Sequence, residues 1–352
     1  MSDNQILFSN KPQINISFPS TGRMWIVSAC ALLCILQSSF SDGAKSLVIA
    51  IVALASALLT EFLLTWRSTG AEKIKDGSAA ATAMILSMML PNQIHPVYAA
   101  LGSMFAIIVI KYSFGGLGSN WLNPALGGWL FVRFSWPSAF ANAVDVSSIS
   151  IYELALTSDL SRTDNSVTEF LNSYIFSIVD VQMPSGYIDL LFNTNPGIIT
   201  DRGLMMLLIG TIVITAIGIN RGWIPVVFLA AYGFLIRLAG DVSGEAAWNG
   251  DLLYGFLSGG TIAAAFILAA EPSSSAKLMP GVVFSVLLAA VFSWFFRYKC
   301  MEFYGCFIAL ALVNCLTPVI RLAEDKIFFS RNNRKLGKTD LNNNSGIRER
   351  VV

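Results

Sequence analysis

The sequence predicts an all-α, polytopic membrane protein, and three observations lead there. Hydrophobic residues make up 55% of the 352 residues, charged residues 13%, and the mean hydropathy is +0.63. That balance belongs to chains that fold in lipid. Apolar runs recur about ten times along the chain. Several of these runs are too short to span and are closed by Gly or Pro in both halves, the pattern of half-helices that meet near the bilayer midplane. A formal net charge of +1 argues against a nucleic-acid partner.

Residues 1–23 are polar, with no apolar core ahead of a small-residue cleavage site, so no signal peptide is expected. Spanning segments are predicted at 24–40, 46–66, 78–90, 97–111, 124–134, 204–219, 223–239, 251–270, 279–296 and 302–320. They divide the chain into an N-terminal segment 1–23, a first transmembrane half 24–136, an extracytoplasmic segment 137–203, a second half 204–322 and a polar tail 323–352. Segments 78–90 and 124–134 fall well short of the ~20 residues a full crossing needs.

Orientation follows from basic residues. Arg67, Lys73, Lys75, Lys111, Arg221 and Lys277 fall in loops on one side, and the tail from Arg321 adds eight Lys/Arg against four Asp/Glu. Both termini are therefore predicted to be cytoplasmic, with the tail held near anionic membrane lipid and its end disordered. Residues 137–203 hold eight acidic and two basic residues, Arg162 and Arg202, which places them outside. Arg297 and Lys299 run against this pattern. Within the outer segment, 148–156 and 170–179 are expected as surface helices and 161–167 as a turn.

A weak internal repeat supports two related halves. Residues 78–91 and 259–272 share small residues, one Thr and an apolar run closed by Pro91 or Pro272. Each is followed by a long apolar helix and then an Asn near a proline: Asn123 before Pro124, and Asn314 ahead of Pro318. Small residues allow close backbone approach, so the two short segments are expected to pack on each other.

The chemistry is concentrated at residues 115–125, Gly-Gly-Leu-Gly-Ser-Asn-Trp-Leu-Asn-Pro-Ala. Gly115, Gly116 and Gly118 permit irregular backbone, which near lipid survives only where it is packed in protein or lines a cavity. The carboxamides of Asn120 and Asn123 suit a planar, multiply hydrogen-bonding neutral ligand or the oxygen shell of a cation. Equally, Asn123 suits a cap on a helix starting at Pro124, and Asn120 the end of a turn. Glu61 and Glu271 are carboxylates at membrane depth, candidates for an ion or proton role or for helix anchoring. Cys30 and Cys34 share a helix face and are expected to pack as small hydrophobes. One histidine, His95, and the absence of a nucleophile elbow or phosphate loop exclude the usual soluble-enzyme sites. The glycine run is not GxGxxG after a strand, which excludes a dinucleotide fold.

Together these motifs resemble the RnfD-type membrane component of the Rnf ion-translocating oxidoreductase complex and its NqrB-type homologue in the sodium-pumping NADH:quinone oxidoreductase. The resemblance runs from about Met24 to Leu322. It rests on Glu61, on Asp76-Gly-Ser-Ala with Thr82 and Leu90-Pro91, on the 115–125 stretch, on Ser258-Gly-Gly with Ala269-Ala-Glu-Pro272, and on Asn314 near Pro318. It implies a multi-pass subunit of the bacterial plasma membrane that passes electrons between flavins while its complex moves Na+ or H+. Iron–sulfur and flavin subunits would be its partners. It also implies a non-covalent, riboflavin-type flavin at Asn120 and Asn123, with Gly115, Gly116 and Gly118 shaping the site.

One departure from the family bears on a second flavin. The family links flavin mononucleotide through phosphate to the last residue of a Ser/Thr-Gly-Ala-Thr motif on the outer side. Here Pro184-Ser-Gly-Tyr-Ile188 lies in that region, and Ile188 has no oxygen for a phosphoester. The later family stretch Gly-x-x-Gly-Glu-Thr-Ser is altered to Gly197-Ile-Ile-Thr-Asp-Arg-Gly203. No covalent flavin is therefore expected at the usual place, with Thr194 and Thr200 as fallback acceptors. On the residues alone, two alternatives remain: a secondary transporter for a small neutral solute, and a structural subunit that kept the fold without a redox role.

Overall fold

A computed structural model of the chain describes residues 20–67, 74–116, 120–143, 162–174, 177, 187–192, 197–243, 252–300 and 302–348. Each of the ten predicted spans is helical there. The first half begins with α1 (Ser20–Asp42) and α2 (Lys45–Thr65), both long and apolar enough to cross a membrane. Next come the short α3 (Ser78–Met88), then α4 (Pro96–Phe105) running on into a π turn (Ala106–Tyr112), and α5 (Pro124–Ser135). At eleven residues, α3 is about 17 Å long, roughly half of an apolar core.

Between the halves lie α6 (Arg162–Tyr174), α7 (Tyr187–Phe192) and α8 (Ile199–Arg202). The second half is α9 (Leu204–Ala216), α10 (Trp223–Ser243), α11 (Leu252–Leu257) and α12 (Thr261–Ala263), the last extended by a π turn (Ala264–Leu268). It ends with α13 (Met279–Trp294), its π turn (Phe295–Lys299) and α14 (Gly305–Arg348). The predicted span 251–270 is thus broken at Gly259-Gly260.

The halves are related as an inverted repeat. In each, the second helix packs on the fourth (α2 on α4, α10 on α13), and the two first helices, α1 and α9, pack on each other. Each short helix starts after a left-handed glycine, Gly77 at φ 73° and Gly260 at φ 68°. A Cβ at Gly77 would also lie 2.9 Å from the Trp25 indole nitrogen. Each start is met by a carboxylate, which complements the helix dipole. Asp76 accepts from the Ser78 N–H at 2.8 Å, and Asp201, from α8, accepts from the Gly260 N–H at 2.8 Å. The end of α3 meets α8, where the Ile199 N–H donates to the Leu90 carbonyl at 3.0 Å, and Ile198 lies against Gly260 at the start of α12. The two short helices therefore run in opposite directions.

The fourth helix of each half closes in a π turn bearing a buried cation. Lys111 donates to the Ser78 hydroxyl at 2.5 Å, and Arg297 donates to the Ser258 hydroxyl at 2.5 Å and the Thr261 hydroxyl at 3.2 Å. This corrects the reading of the loop charges. Lys111 is not a loop residue: its side chain is 1% exposed and ion-paired. Arg297 does not contradict the orientation either, because it is the inverted counterpart of Lys111 and is buried.

Three other expectations change, and one falls outside the described residues. The short helices do not pack on each other; α3 lies on α1 and α2, the α12 segment on α10 and α14, and a cleft lies between α3 and the end of the second. The backbone is helical from Arg162, not a turn over 161–167, because Val167, Phe170, Leu171 and Tyr174 recur at helical spacing and reward one continuous helix. The tail backbone is helical to Arg348, where a disordered end was expected, since extending α14 needs no new nucleus. The predicted 148–156 helix lies outside the described residues.

α5 ties the halves together. Trp129 is fully buried, donates to the Met89 carbonyl at 3.0 Å and packs edge-on against Phe307, while Arg133 pairs with Glu302 at 2.9 Å. α5 reaches α4 across small residues: a Cβ at Gly128 would lie 2.7 Å from the Gly102 carbonyl oxygen. Gly128→Val is expected to lower stability by about 1–3 kcal/mol through overpacking. A thermal melt of the protein in detergent checks this, and an unchanged midpoint would contradict the close crossing.

Candidate functional site

The 115–125 break, with α3, α1 and the end of the second half's short helix, surrounds a cleft. Its lining includes Ser78, Thr82, Lys111, Asn120, Asn123 and Glu271, with Met24, Ala81, Ile85 and Pro124 as apolar wall. The empty space is about 400 Å³, counting the part open to solvent.

The break takes its shape from residues the sequence singled out. Gly115 and Gly116 have φ of 101° and 90°, and the Gly116 N–H donates to the Lys111 carbonyl at 2.9 Å, closing the π turn. Asn120, with its amide turned to suit its neighbours, donates to the Lys111 carbonyl at 3.3 Å and the Gly116 carbonyl at 3.1 Å. It thereby pins the start of the break to its end. Gly118 lies outside the described residues.

Asn123 does two things at once. Its carbonyl oxygen accepts from the Ala125 N–H at 2.8 Å and the Leu126 N–H at 3.2 Å, capping α5, and its amide donates to the Glu271 carboxylate. The cap expected from sequence is present, and the same side chain joins the first half to the second. Glu271 also accepts from the Ser273 hydroxyl at 2.6 Å. One amide hydrogen of Asn123 has no partner among the described residues, so a donor remains available at the cleft.

Glu61 is wholly buried behind the cleft. It accepts from Lys111 at 2.6 Å and from the Tyr112 hydroxyl at 3.0 Å, and its second oxygen has no partner among the described residues. Cys30 and Cys34 face α9 and α8 on the buried side of α1. His95 caps α4, accepting from the Val97 N–H at 3.3 Å.

Sequence reasoning missed two residues that hold the cleft's far wall. Arg321 on α14 donates to the Ser273 carbonyl at 3.0 Å and the Ser275 carbonyl at 2.6 Å. Glu324, one turn on, accepts from the Lys277 and Leu278 N–H groups at the start of α13. Their spacing of three placed both on one helix face, but nothing in the sequence named the loop they clasp. Between the two halves, Ile188 is buried in α7. Thr200 is fully buried and donates to the Met88 carbonyl at 2.5 Å, while Thr194 lies outside the described residues.

Fold and cleft define a polytopic membrane protein of two inverted halves with a polar cleft at a broken helix. The chain belongs to the NQR2, RnfD, RnfE family, whose profile matches residues 7–329. It is 26% identical over 319 residues to one component of the proton-translocating ferredoxin:NAD(+) oxidoreductase complex of Clostridium ljungdahlii, covering 90% of this chain and 94% of that one. It is 25% identical over 331 residues to the corresponding component of the Na(+)-translocating ferredoxin:NAD(+) oxidoreductase complex of Acetobacterium woodii, covering 93% and 96%. The corresponding component of the ion-translocating oxidoreductase complex of Aeromonas hydrophila is 28% identical over 337 residues, with 88% and 94% covered. In all three complexes the matching component is the one lettered D.

Proposed function

We propose that this chain is a membrane subunit of a respiratory complex that couples electron transfer, of the ferredoxin/NAD type, to ion translocation. The 115–125 cleft would be its flavin site. Family membership and relatives matched over nearly their whole length support the subunit reading. Those two relatives are named for different ions at nearly equal identity, so the ion is not part of the proposal. The observation that carries the site is the junction itself: Asn120 and Asn123 border one cleft with Lys111 from the first half and Glu271 from the second.

The donor set fits a flavin ring. It offers an amide hydrogen from Asn123 and the Lys111 ammonium, with the Thr82 hydroxyl oxygen as an acceptor because its hydrogen goes to the Ser78 carbonyl, around apolar walls, which suits a planar heterocycle with carbonyl and ring-nitrogen acceptors and a ring N–H. When bound, such a ring supplies one- and two-electron chemistry. The chain's own residues orient it and shield it from water.

Asn123→Ser separates the two roles of that residue, because serine caps a helix as well as asparagine but brings no amide to the cleft. Losing a buried hydrogen bond costs about 1–3 kcal/mol, so riboflavin binding by this variant is expected to weaken roughly ten- to a hundredfold, while the lost bond to Glu271 lowers stability by a comparable amount. Riboflavin titration by fluorescence quenching measures it. Full affinity in the serine variant would leave Asn123 with its structural roles alone, as cap and as link to Glu271.

No covalent flavin is expected on this chain. Ile188 has no oxygen, and the Thr200 hydroxyl is sealed and already bonded. Denaturing electrophoresis under ultraviolet light should show no fluorescent band at the chain's mass. A band abolished by Thr194→Ala or Thr200→Ala would place the flavin there instead.

Both termini are proposed to be cytoplasmic in a bacterial plasma membrane, with partner subunits carrying iron–sulfur clusters and flavins. Cysteines introduced at Ser161 and Asn343, with the native cysteines replaced, should label from opposite sides. Labelling from the same side would overturn this orientation. Co-purification of iron–sulfur subunits with the chain tests the partners.

A further inference from the structure

We infer that Lys111 sets how readily a redox-active ring in the cleft accepts an electron. This rests on the flavin reading above. Among the described residues lining the cleft, Lys111 is the only cation. Its ammonium is held from two sides, by Glu61 at 2.6 Å and by the Ser78 hydroxyl at 2.5 Å, and the side chain is 1% exposed. The cation is therefore fixed in place and poorly screened by water or salt.

The wall around it works in the same direction. Ser78 is the first residue of α3, so the positive end of that helix dipole faces the same side of the cleft. Asp76 at the helix start moderates this. Glu61 lines no part of the cleft and lies behind Lys111, so the cation is the nearer charge to any ligand. The negative group across the cleft, Glu271, has its two oxygens taken by the Ser273 hydroxyl and the Asn123 amide. A ring that gains one electron gains negative charge, and the pre-positioned cation stabilises that form over the oxidised one. No bond is made or broken in this step. The electron comes from the donor in contact with the complex, or from a reduced mediator dye in the test.

The two members of the pair should act with opposite signs. Removing Glu61's charge leaves Lys111 uncompensated and favours the reduced ring. Removing Lys111's charge disfavours it. A purely structural role for the pair would not produce that inversion. Lys111→Met alone strands a buried carboxylate, so the decisive comparison is Glu61→Gln against the double variant Glu61→Gln/Lys111→Met, which differ only in the cation.

The test is a dye-mediated potentiometric titration of the full chain in detergent, loaded with riboflavin, followed by visible absorption at constant pH. Glu61→Gln should lie above the unmodified chain. The double variant should hold a reduced-to-oxidised ratio about tenfold lower than Glu61→Gln at the same potential, about 59 mV for a one-electron couple. Equal midpoints in these two variants, or Glu61→Gln below the unmodified chain, would overturn the role of Lys111 while leaving the flavin site standing. An unmodified chain that takes up no riboflavin would overturn the flavin reading itself, and this inference with it.

Discussion

Lys111→Met should destabilise the protein by about 3–5 kcal/mol, because it leaves Glu61 wholly buried, without its counter-ion and held by the Tyr112 hydroxyl alone. Breaking a buried pair from one side costs more than removing both members. Glu61→Gln/Lys111→Met should therefore recover most of the loss. Tryptophan fluorescence during a thermal ramp in detergent compares the three proteins. Equal losses in the single and double variants would mean that the pair acts through packing, not charge.

The counterpart at the other end of the inverted repeat should be nearly as sensitive, for a different reason. Arg297 has no carboxylate in direct contact among the described residues; it donates to the Gly255 carbonyl at 3.0 Å, the Ser258 carbonyl at 3.1 Å, the Tyr232 hydroxyl at 3.3 Å and the Ser258 and Thr261 hydroxyls. Arg297→Met removes these charge-assisted bonds at the start of the second short helix, at about 1.5–3 kcal/mol each, although the Gly255 and Ser258 carbonyls keep the Thr261 hydroxyl as a donor. A total loss of at least about 3 kcal/mol is expected. Arg297→Lys should recover little, since one ammonium cannot reproduce the planar fork. A local readout is at hand in Cys306, which is buried and lies 3.6 Å from the Thr261 hydroxyl. Its alkylation rate should rise in Arg297→Met, and an unchanged rate would show that Arg297 does not hold this helix start.

The sequence disclosed the spans, the two short helices and the 115–125 break, because apolar runs and glycine–proline punctuation are local signals. It also named Asn120, Asn123, Glu61 and Glu271, for polar groups at membrane depth are rare enough to stand out. What it hid was pairing. Lys111 and Arg297 each follow an apolar run, where a snorkelling loop charge and a buried cation read alike. The π turn that carries each one leaves no residue pattern of its own. Asp201 belonged to an altered motif in the segment between the halves, and only the fold brings it to Gly260, 59 residues on. The Arg321 and Glu324 clasp on the 273–278 loop was hidden for the same reason: both partners are ordinary polar residues near a helix end. The inverted repeat was visible as a faint likeness between 78–91 and 259–272. The stronger evidence, a cation bonded to a hydroxyl at each short helix, depends on distances.

The claim that the cleft holds a non-covalent flavin is tested most directly by a visible absorption spectrum of the purified full chain, taken before and after acid precipitation. A flavin band near the blue is expected, passing entirely into the supernatant at one riboflavin-type molecule per chain and reduced in Asn123→Ser. A colourless chain that stays colourless after incubation with riboflavin would contradict it.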